Sequence, residues 1–241
     1  MMYNLMPYPF KSTGIFRKKE RFSGFCPERS LLPHLVIFLC TDYITGKGKN
    51  RDFFEEKKAM LDVKSCEALV CVVDVQEKLI PAMGNGGDLL KRLNVLLGGC
   101  AALEIPFLVT EQYPKGLGNT LEEIRGIFPE GTAVFEKNSF SCFGSEEFAS
   151  AVKDSRKKWM ILCGVESHVC VFQTALEAKK NGLEVILVED CVDSRHGSDK
   201  TTALKYLRHA GVHIVSSEMV LFLLMKSSAN PAFKVISKLV R

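Results

Sequence analysis

The stretch Leu162-Cys163-Gly164-Val165-Glu166-Ser167-His168-Val169-Cys170 places a thiol where reactivity is readily built. It reads as an apolar strand entering a glycine turn, with Cys170 in the first turn of the helix that follows. The partial positive charge at a helix N-terminus favours thiolate over thiol, and thiolate is the attacking form. A cysteine in apolar company is more often a small buried hydrophobe, so position alone does not make a nucleophile. Two further residues shift the balance. Asp74 follows the apolar run 68–73, and Lys137 follows the short run 132–135. A carboxylate can take the thiol proton and later deliver it to a leaving group if partial burial raises its pKa. A neighbouring ammonium stabilises the thiolate and orients the carboxylate. Singly, an aspartate at a strand end is an ordinary turn residue and a lysine an ordinary solvated charge. At three strand ends together, Asp74, Lys137 and Cys170 read as a catalytic constellation.

The elements that must position these residues are legible from about residue 66 onward. Residues 68–73 form a continuous apolar run, the pattern of a parallel strand covered on both faces. Leu89, Leu90, Leu93, Leu96, Leu97 and Ala101 recur at helical spacing within 88–104. Further strands are expected at 106–110, 132–135, 159–163, 184–188 and 212–215, separated by helices near 120–125, 145–154, 167–181 and 198–210. Ser145 is a suitable cap for the 145–154 helix, with Glu146 and Glu147 in its first turn. Two helical segments, 218–226 and 231–239, close the chain. Strands alternating with helices imply a doubly wound parallel sheet, because each right-handed crossover lays a helix on one face. In such a sheet ligands sit beyond the carboxyl ends of the strands, where Asp74, Lys137 and Cys170 fall.

Composition bounds the function. The 241 residues suit one α/β domain with an appendage. The nine cysteines are odd in number, several lie inside apolar runs, and none has CxxC spacing. This usage points to reduced thiols in an intracellular, cytoplasmic protein. Residues 1–60 hold 11 Lys/Arg against 6 Asp/Glu and are broken by Pro7, Pro9, Pro27 and Pro33. They read as a basic, irregular extension, weakly packed and dispensable for the core, with organelle targeting as a weaker reading. The apolar run 35–40 is too short to span a bilayer. Residues 61–241 hold 21 basic against 22 acidic residues, without the basic stripe of a nucleic-acid binder. The segment 219–225, Met-Val-Leu-Phe-Leu-Leu-Met, is apolar on every side of a helix and must be enclosed by its own core or by a partner. The pattern by itself leaves both readings open.

The segments Val73-Asp74-Val75-Gln76, Glu136-Lys137-Asn138-Ser139-Phe140 and Gly164-Val165-Glu166-Ser167-His168-Val169-Cys170-Val171 resemble, in order, the three catalytic motifs of the isochorismatase-like cysteine hydrolase superfamily. The likeness extends over about residues 66–240. That superfamily includes isochorismatases, nicotinamidases and N-carbamoylsarcosine amidases. Its members are often oligomeric, so the resemblance tips segment 219–225 toward a partner and implies a homo-oligomer, dimer or higher. The resemblance implies an Asp74–Lys137–Cys170 triad on a Rossmann-like three-layer α/β/α fold with a six-stranded parallel sheet. It also implies a cis Val165–Glu166 peptide and an oxyanion hole that includes the Cys170 amide. Gln76, Gln112, Tyr113 and Phe140, in or beside these motifs, are assigned to the substrate pocket.

Departures from the better-known members narrow the reading. Nicotinamidases carry metal-binding aspartate and histidine after the second strand, whereas this chain has Thr110-Glu111-Gln112-Tyr113-Pro114-Lys115-Gly116-Leu117-Gly118. That string resembles the isochorismatase domain-containing subgroup and holds no histidine, so no metal and no cofactor are expected. His168, two residues before Cys170, lies on another side of the helix start and is not assigned as its base. Isochorismate hydrolysis cleaves a vinyl ether and needs mainly a general acid, while a retained cysteine favours attack on a carbonyl. The expected activity is metal-independent hydrolysis of a small amide or ureide through a thioester. A vestigial domain acting through protein contacts and a vinyl ether hydrolase are the alternatives. An NAD-dependent enzyme is disfavoured by the lack of G-x-G-x-x-G after the first strand.

Overall fold

A computed structural model describes residues 61–241. The expectations for residues 1–60 lie outside the described residues. Six strands and eight helices are described there: β1 (Ala68–Val73), α1 (Gly86–Ala102), β2 (Phe107–Gln112), α2 (Pro114–Leu117), α3 (Glu122–Arg125), β3 (Ala133–Lys137), α4 (Glu146–Ser155), β4 (Trp159–Val165), α5 (Cys170–Lys180), β5 (Glu184–Asp193), α6 (Gly197–His209), β6 (His213–Val215), α7 (Ser217–Met225) and α8 (Phe233–Leu239). The strands form one sheet in the order β3-β2-β1-β4-β5-β6, and every pairing is parallel. Chain order reverses between β1 and β4, which places the topological switch point beside Asp74 and Cys170.

β1 shows why both faces must be covered. All six of its residues are buried, and successive side chains enter opposite layers. Val70 and Val72 join a core with Leu89, Leu93, Leu96 and Leu97 of α1 and with residues of α7 and α8. Leu69, Cys71 and Val73 join a second core with Phe148 of α4, Val171 and Ala175 of α5, and Leu207 of α6. The three-layer α/β/α architecture follows from that two-sided burial.

The strands run further at their carboxyl ends than the sequence pattern indicated, and this matters for the site. β2 continues to Gln112 and β3 to Lys137, with Gln112 and Lys137 as register partners. β4 continues through Gly164, whose φ is +111°; a Cβ there would run into the backbone of Val73. Only glycine fits so close an approach. β5 departs most from expectation. Leu162 pairs with Leu187, but Gly164 pairs with Val192, so β5 bulges outward across 188–191 and then rejoins the sheet. Glu189 and Asp190 interrupt its apolar pattern, which is why the sequence indicated a stop at Val188. Asp190 anchors the start of α7, where its carboxylate accepts the Ser217 N–H at 2.7 Å and the Ser217 hydroxyl at 2.6 Å.

α7 resolves the question of its all-round apolar surface in part. Val220, Leu221, Leu224 and Met225 are buried, with Leu221 packed against Gly99 of α1. Met219 and Phe222 are 60% and 40% exposed, so the protein's own core covers one side of the helix only.

Candidate active site

The carboxyl ends of β1, β2 and β3 converge on one buried carboxylate. Asp74 directly follows β1, adopts φ +53°, and has no solvent exposure. Its backbone N–H donates to the Thr110 carbonyl at 3.1 Å. The Thr110 hydroxyl donates to Asp74 Oδ1 at 2.8 Å, and the Lys137 ammonium donates to Oδ2 at 2.7 Å. The Cys170 thiol lies near enough to this carboxylate for each group to perturb the titration of the other. Asp74, Lys137 and Cys170, far apart in sequence, are therefore neighbours at one place in the fold. Lys137 is the last residue of β3, not a loop residue beyond it, and its side chain is fully buried.

Charge in this cluster is governed by burial. Desolvation raises the Asp74 carboxyl above its ordinary range, against the opposing pull of Lys137, of the nearby Cys170 thiol and of the Thr110 hydrogen bond. Desolvation works to lower Lys137, but the Asp74 carboxylate and the nearby thiols outweigh it and hold the ammonium above its usual value. Cys170 is pushed up to about 12, first by burial and then by the Asp74 charge, with Lys137 acting in the opposite direction. The sequence suggested a thiolate favoured by the start of α5. In the folded chain burial and the nearby Asp74 carboxylate oppose that pull and favour a protonated thiol at rest.

The opposite side of Cys170 is organised differently. The Val165–Glu166 peptide is cis. The three residues after β4 are tied, one by one, to Asp193, the last residue of β5, and to Ser194 and Arg195 just beyond it. Ser167 N–H donates to the Asp193 carbonyl at 2.7 Å. The Glu166 carboxylate accepts both the backbone N–H and the Nε of Arg195 at 3.1 Å. His168 Nδ1 lies 3.0 Å from the Ser194 hydroxyl, and its Nε2 is 3.9 Å from Asp199, so the ring faces α6. The loop 83–85 locks this strap: Gly84 N–H donates to the Ser194 carbonyl at 3.1 Å and Asn85 N–H to the Asp193 carboxylate at 2.8 Å.

The residues assigned to the pocket divide into two kinds. Gln76 is fully buried and bound to backbone: Nε2 donates to the Gln112 carbonyl at 3.0 Å and the Gly118 carbonyl at 2.6 Å, and Oε1 accepts Gln112 N–H at 2.8 Å. Gln112 accepts from Lys137 at 2.7 Å. Tyr113, at φ +38°, and Phe140 are each 54% exposed at the outer edge of the site. A cleft of about 490 Å³ opens between the turn 113–115 and the segment 138–147, with Tyr113, Lys137, Ser139 and Glu147 among its walls. Glu111, one residue beyond Thr110 in β2, turns its carboxylate away from this cluster into bonds of its own. Its carboxylate accepts the Thr120 N–H and hydroxyl at 2.7 and 2.8 Å and pairs with Arg125 at 3.2 Å, which pins the loop after α2. Cys142 packs behind the site, 3.5 Å from the Thr110 hydroxyl. Thr110 and the strap 193–195 escaped the sequence reading. Thr110 was discernible as the polar end of an apolar strand level with Asp74, whereas the strap depends on the β5 bulge and left no local signal.

A parallel sheet whose switch point carries a paired carboxylate and ammonium beside a thiol defines a class before it defines a protein. The chain matches the isochorismatase domain model over residues 67–219 and belongs to the isochorismatase family. It is 37% identical over 180 residues to isochorismatase domain-containing protein 2 of Danio rerio, covering 75% of this chain and 89% of that protein. Isochorismatase domain-containing protein 1 of Salmo salar is 37% identical over 168 residues, 70% of this chain but 59% of that longer protein. Among solved structures, one described as the MAR1 ribonuclease of Caenorhabditis elegans aligns with a TM-score of 0.71 and 33% identity, covering 74% of this chain and 91% of that one. The family and its neighbours support a hydrolase.

Proposed function

We propose that the chain is a metal-independent cysteine hydrolase that cleaves a small amide or ureide through a thioester on Cys170. The observation that carries this reading is a buried carboxylate near the Cys170 thiol whose two oxygens are already fixed by Thr110 and Lys137. Asp74 takes the Sγ proton as Sγ attacks the substrate carbonyl carbon. The oxyanion that forms is met by backbone N–H groups, including that of Cys170, which at the first helical position is outside the helix's own bonding. Asp74 then hands the proton to the leaving nitrogen, and the C–N bond breaks to give the thioester. Water attacks the thioester carbonyl, giving a proton to Asp74. The proton returns to sulfur as the C–S bond breaks, releasing the acid and restoring the resting thiol. Lys137 remains charged throughout and holds Asp74 in line. Gln76, Tyr113 and Phe140 belong, in this reading, to the frame and mouth of the pocket.

The proposed setting is intracellular and cytoplasmic, which fits the seven free thiols among the described residues. No helix among the described residues is long and apolar enough to cross a membrane. The proposed assembly is a homo-oligomer in which α7 supplies an isologous contact through Met219 and Phe222. Sedimentation equilibrium of the full chain at micromolar concentration is expected to give a dimer or larger species, and a clean monomer would defeat it.

One relative's description as a ribonuclease gives a second reading, cleavage of a phosphodiester. The near-neutral balance of residues 61–241 favours the small-molecule reading. One screen separates them: small amides, ureides, isochorismate and single-stranded RNA, each offered to the wild type and to Cys170→Ala. Amide or ureide turnover lost in Cys170→Ala, with an acyl adduct on Cys170 by intact mass, is the expected result. RNA cleavage that survives Cys170→Ala, or no turnover at all, would refute the proposal.

A further inference from the structure

Lys137 is the most heavily bonded side chain of the site. Its Nζ lies 2.7 Å from Asp74 Oδ2, 2.7 Å from Gln112 Oε1, 3.2 Å from the Phe140 carbonyl and 3.3 Å from the Ser139 carbonyl. An ammonium has three protons, so four acceptors engage all of them and leave none for a substrate. The two short contacts come from a charged group and a neutral one. The neutral one, Gln112, is held from every direction. Its Nε2 donates to the Asn138 carbonyl at 2.9 Å, which turns its oxygen toward Lys137. Its backbone N–H and carbonyl are both bound by the Gln76 side chain. The β2–β3 register, with Gln112 opposite Lys137, sets the amide beside the ammonium.

We propose that Gln112 is a positioning residue that aims the Lys137 ammonium at Asp74, with Gln76 as its backbone anchor, and so sets how readily Cys170 yields its proton. This rests on the reading of Asp74, Lys137 and Cys170 as the reacting set. An uncharged acceptor suits the place. It orients the ammonium without dividing its charge, whereas a carboxylate at residue 112 would compete with Asp74 for it. The titratable groups facing that ammonium are Asp74, Cys142 and Cys170, so a second carboxylate drawing on the ammonium would reach the pair that exchanges the proton through it.

The test reads Cys170 itself and needs no substrate. Iodoacetamide alkylation of the full chain is followed from pH 6 to 10.5, with Cys170 quantified by peptide mass mapping. Gln112→Glu is expected to displace the rising limb of the rate profile by about one pH unit to the alkaline side, roughly tenfold slower at any one pH. In a Lys137→Gln background the same substitution is expected to move the limb by less than about a third of a unit, since the coupling runs through the ammonium. Gln112→Leu provides a variant without added charge. Loss of an acceptor misplaces the lysine, and the rate at pH 8.5 is expected to fall at least threefold with Lys137 present and to stay unchanged in Lys137→Gln. Folded variants whose profiles overlay the wild type, or effects of equal size with and without the Lys137 charge, would overturn the proposal. If instead Lys137→Gln and Asp74→Asn both leave the Cys170 profile where it was, the reading of the reacting set itself has failed. A merely structural role for Gln112 predicts no ordered alkaline displacement.

Discussion

The two sides of Cys170 are built from different physics. Toward β1–β3 it faces Asp74, which Thr110 and Lys137 hold from the two neighbouring strands through buried polar and charged bonds. Toward β5 it continues a loop whose residues 166–168 are strapped to 193–195 mainly by hydrogen bonds to backbone and to a hydroxyl. The charged side depends on keeping every member, because a buried ion that loses its partner is left uncompensated. The strapped side spreads its hold over several modest bonds, and the Arg195–Glu166 pair at its rim is half exposed to water. In the proposed mechanism, proton chemistry rests with the side where single substitutions are expected to be costly, and loop shape with the side where they are expected to be tolerated.

The largest effect that could break this contrast is on turnover. Asp74→Asn keeps the volume of the side chain and removes the proton acceptor. It is expected to lower kcat by about 10²–10⁴-fold on whichever substrate the screen identifies. A variant within tenfold of wild type would remove Asp74 from the chemistry. Lys137→Met comes next. Leaving Asp74 buried and unpaired is expected to cost about 3–5 kcal/mol in urea unfolding, although this is one residue in a large core.

Alkaline stability sharpens the same comparison. The folded Cys170 thiol sits near 12 against an ordinary value of 9.0, so between those values the folded state holds the proton that the unfolded state has released. Stability is therefore complete below the ordinary thiol value and falls as pH rises through the window. The urea midpoint is expected to drop less steeply between pH 9 and 11 in Cys170→Ala than in the wild type; buried Cys100, also near 12, retains part of the slope. Parallel curves would show that Cys170 is not held as a thiol. The smallest effect belongs to the strap. Ser194→Ala removes the partner of His168 and is expected to cost about 1 kcal/mol and less than a tenfold change in turnover. A loss as large as that of Asp74→Asn would mean that both sides carry the chemistry.

The sequence by itself determined the alternation of strands and helices, and hence the parallel sheet, because period and turn chemistry act locally. It also determined which residue types stand at the strand ends: Asp74 after one apolar run, Lys137 after another, Cys170 after Gly164. The chain order of those motifs made the family recognisable. What only the tertiary structure decided are quantities that depend on neighbours distant in the chain. Burial and the nearby Asp74 together favour a protonated Cys170 thiol at rest, against the pull of the helix start. Gln112 serves Lys137 because β2 and β3 pair in one register and no other, and a glutamine in a sequence carries no sign of which ammonium it will face. The strap 193–195 exists because β5 bulges by several residues and rejoins β4 at Val192, a pairing hidden by Glu189 and Asp190. Local pattern fixes which side chains are available; burial and register fix what each one touches, and therefore its charge and its role.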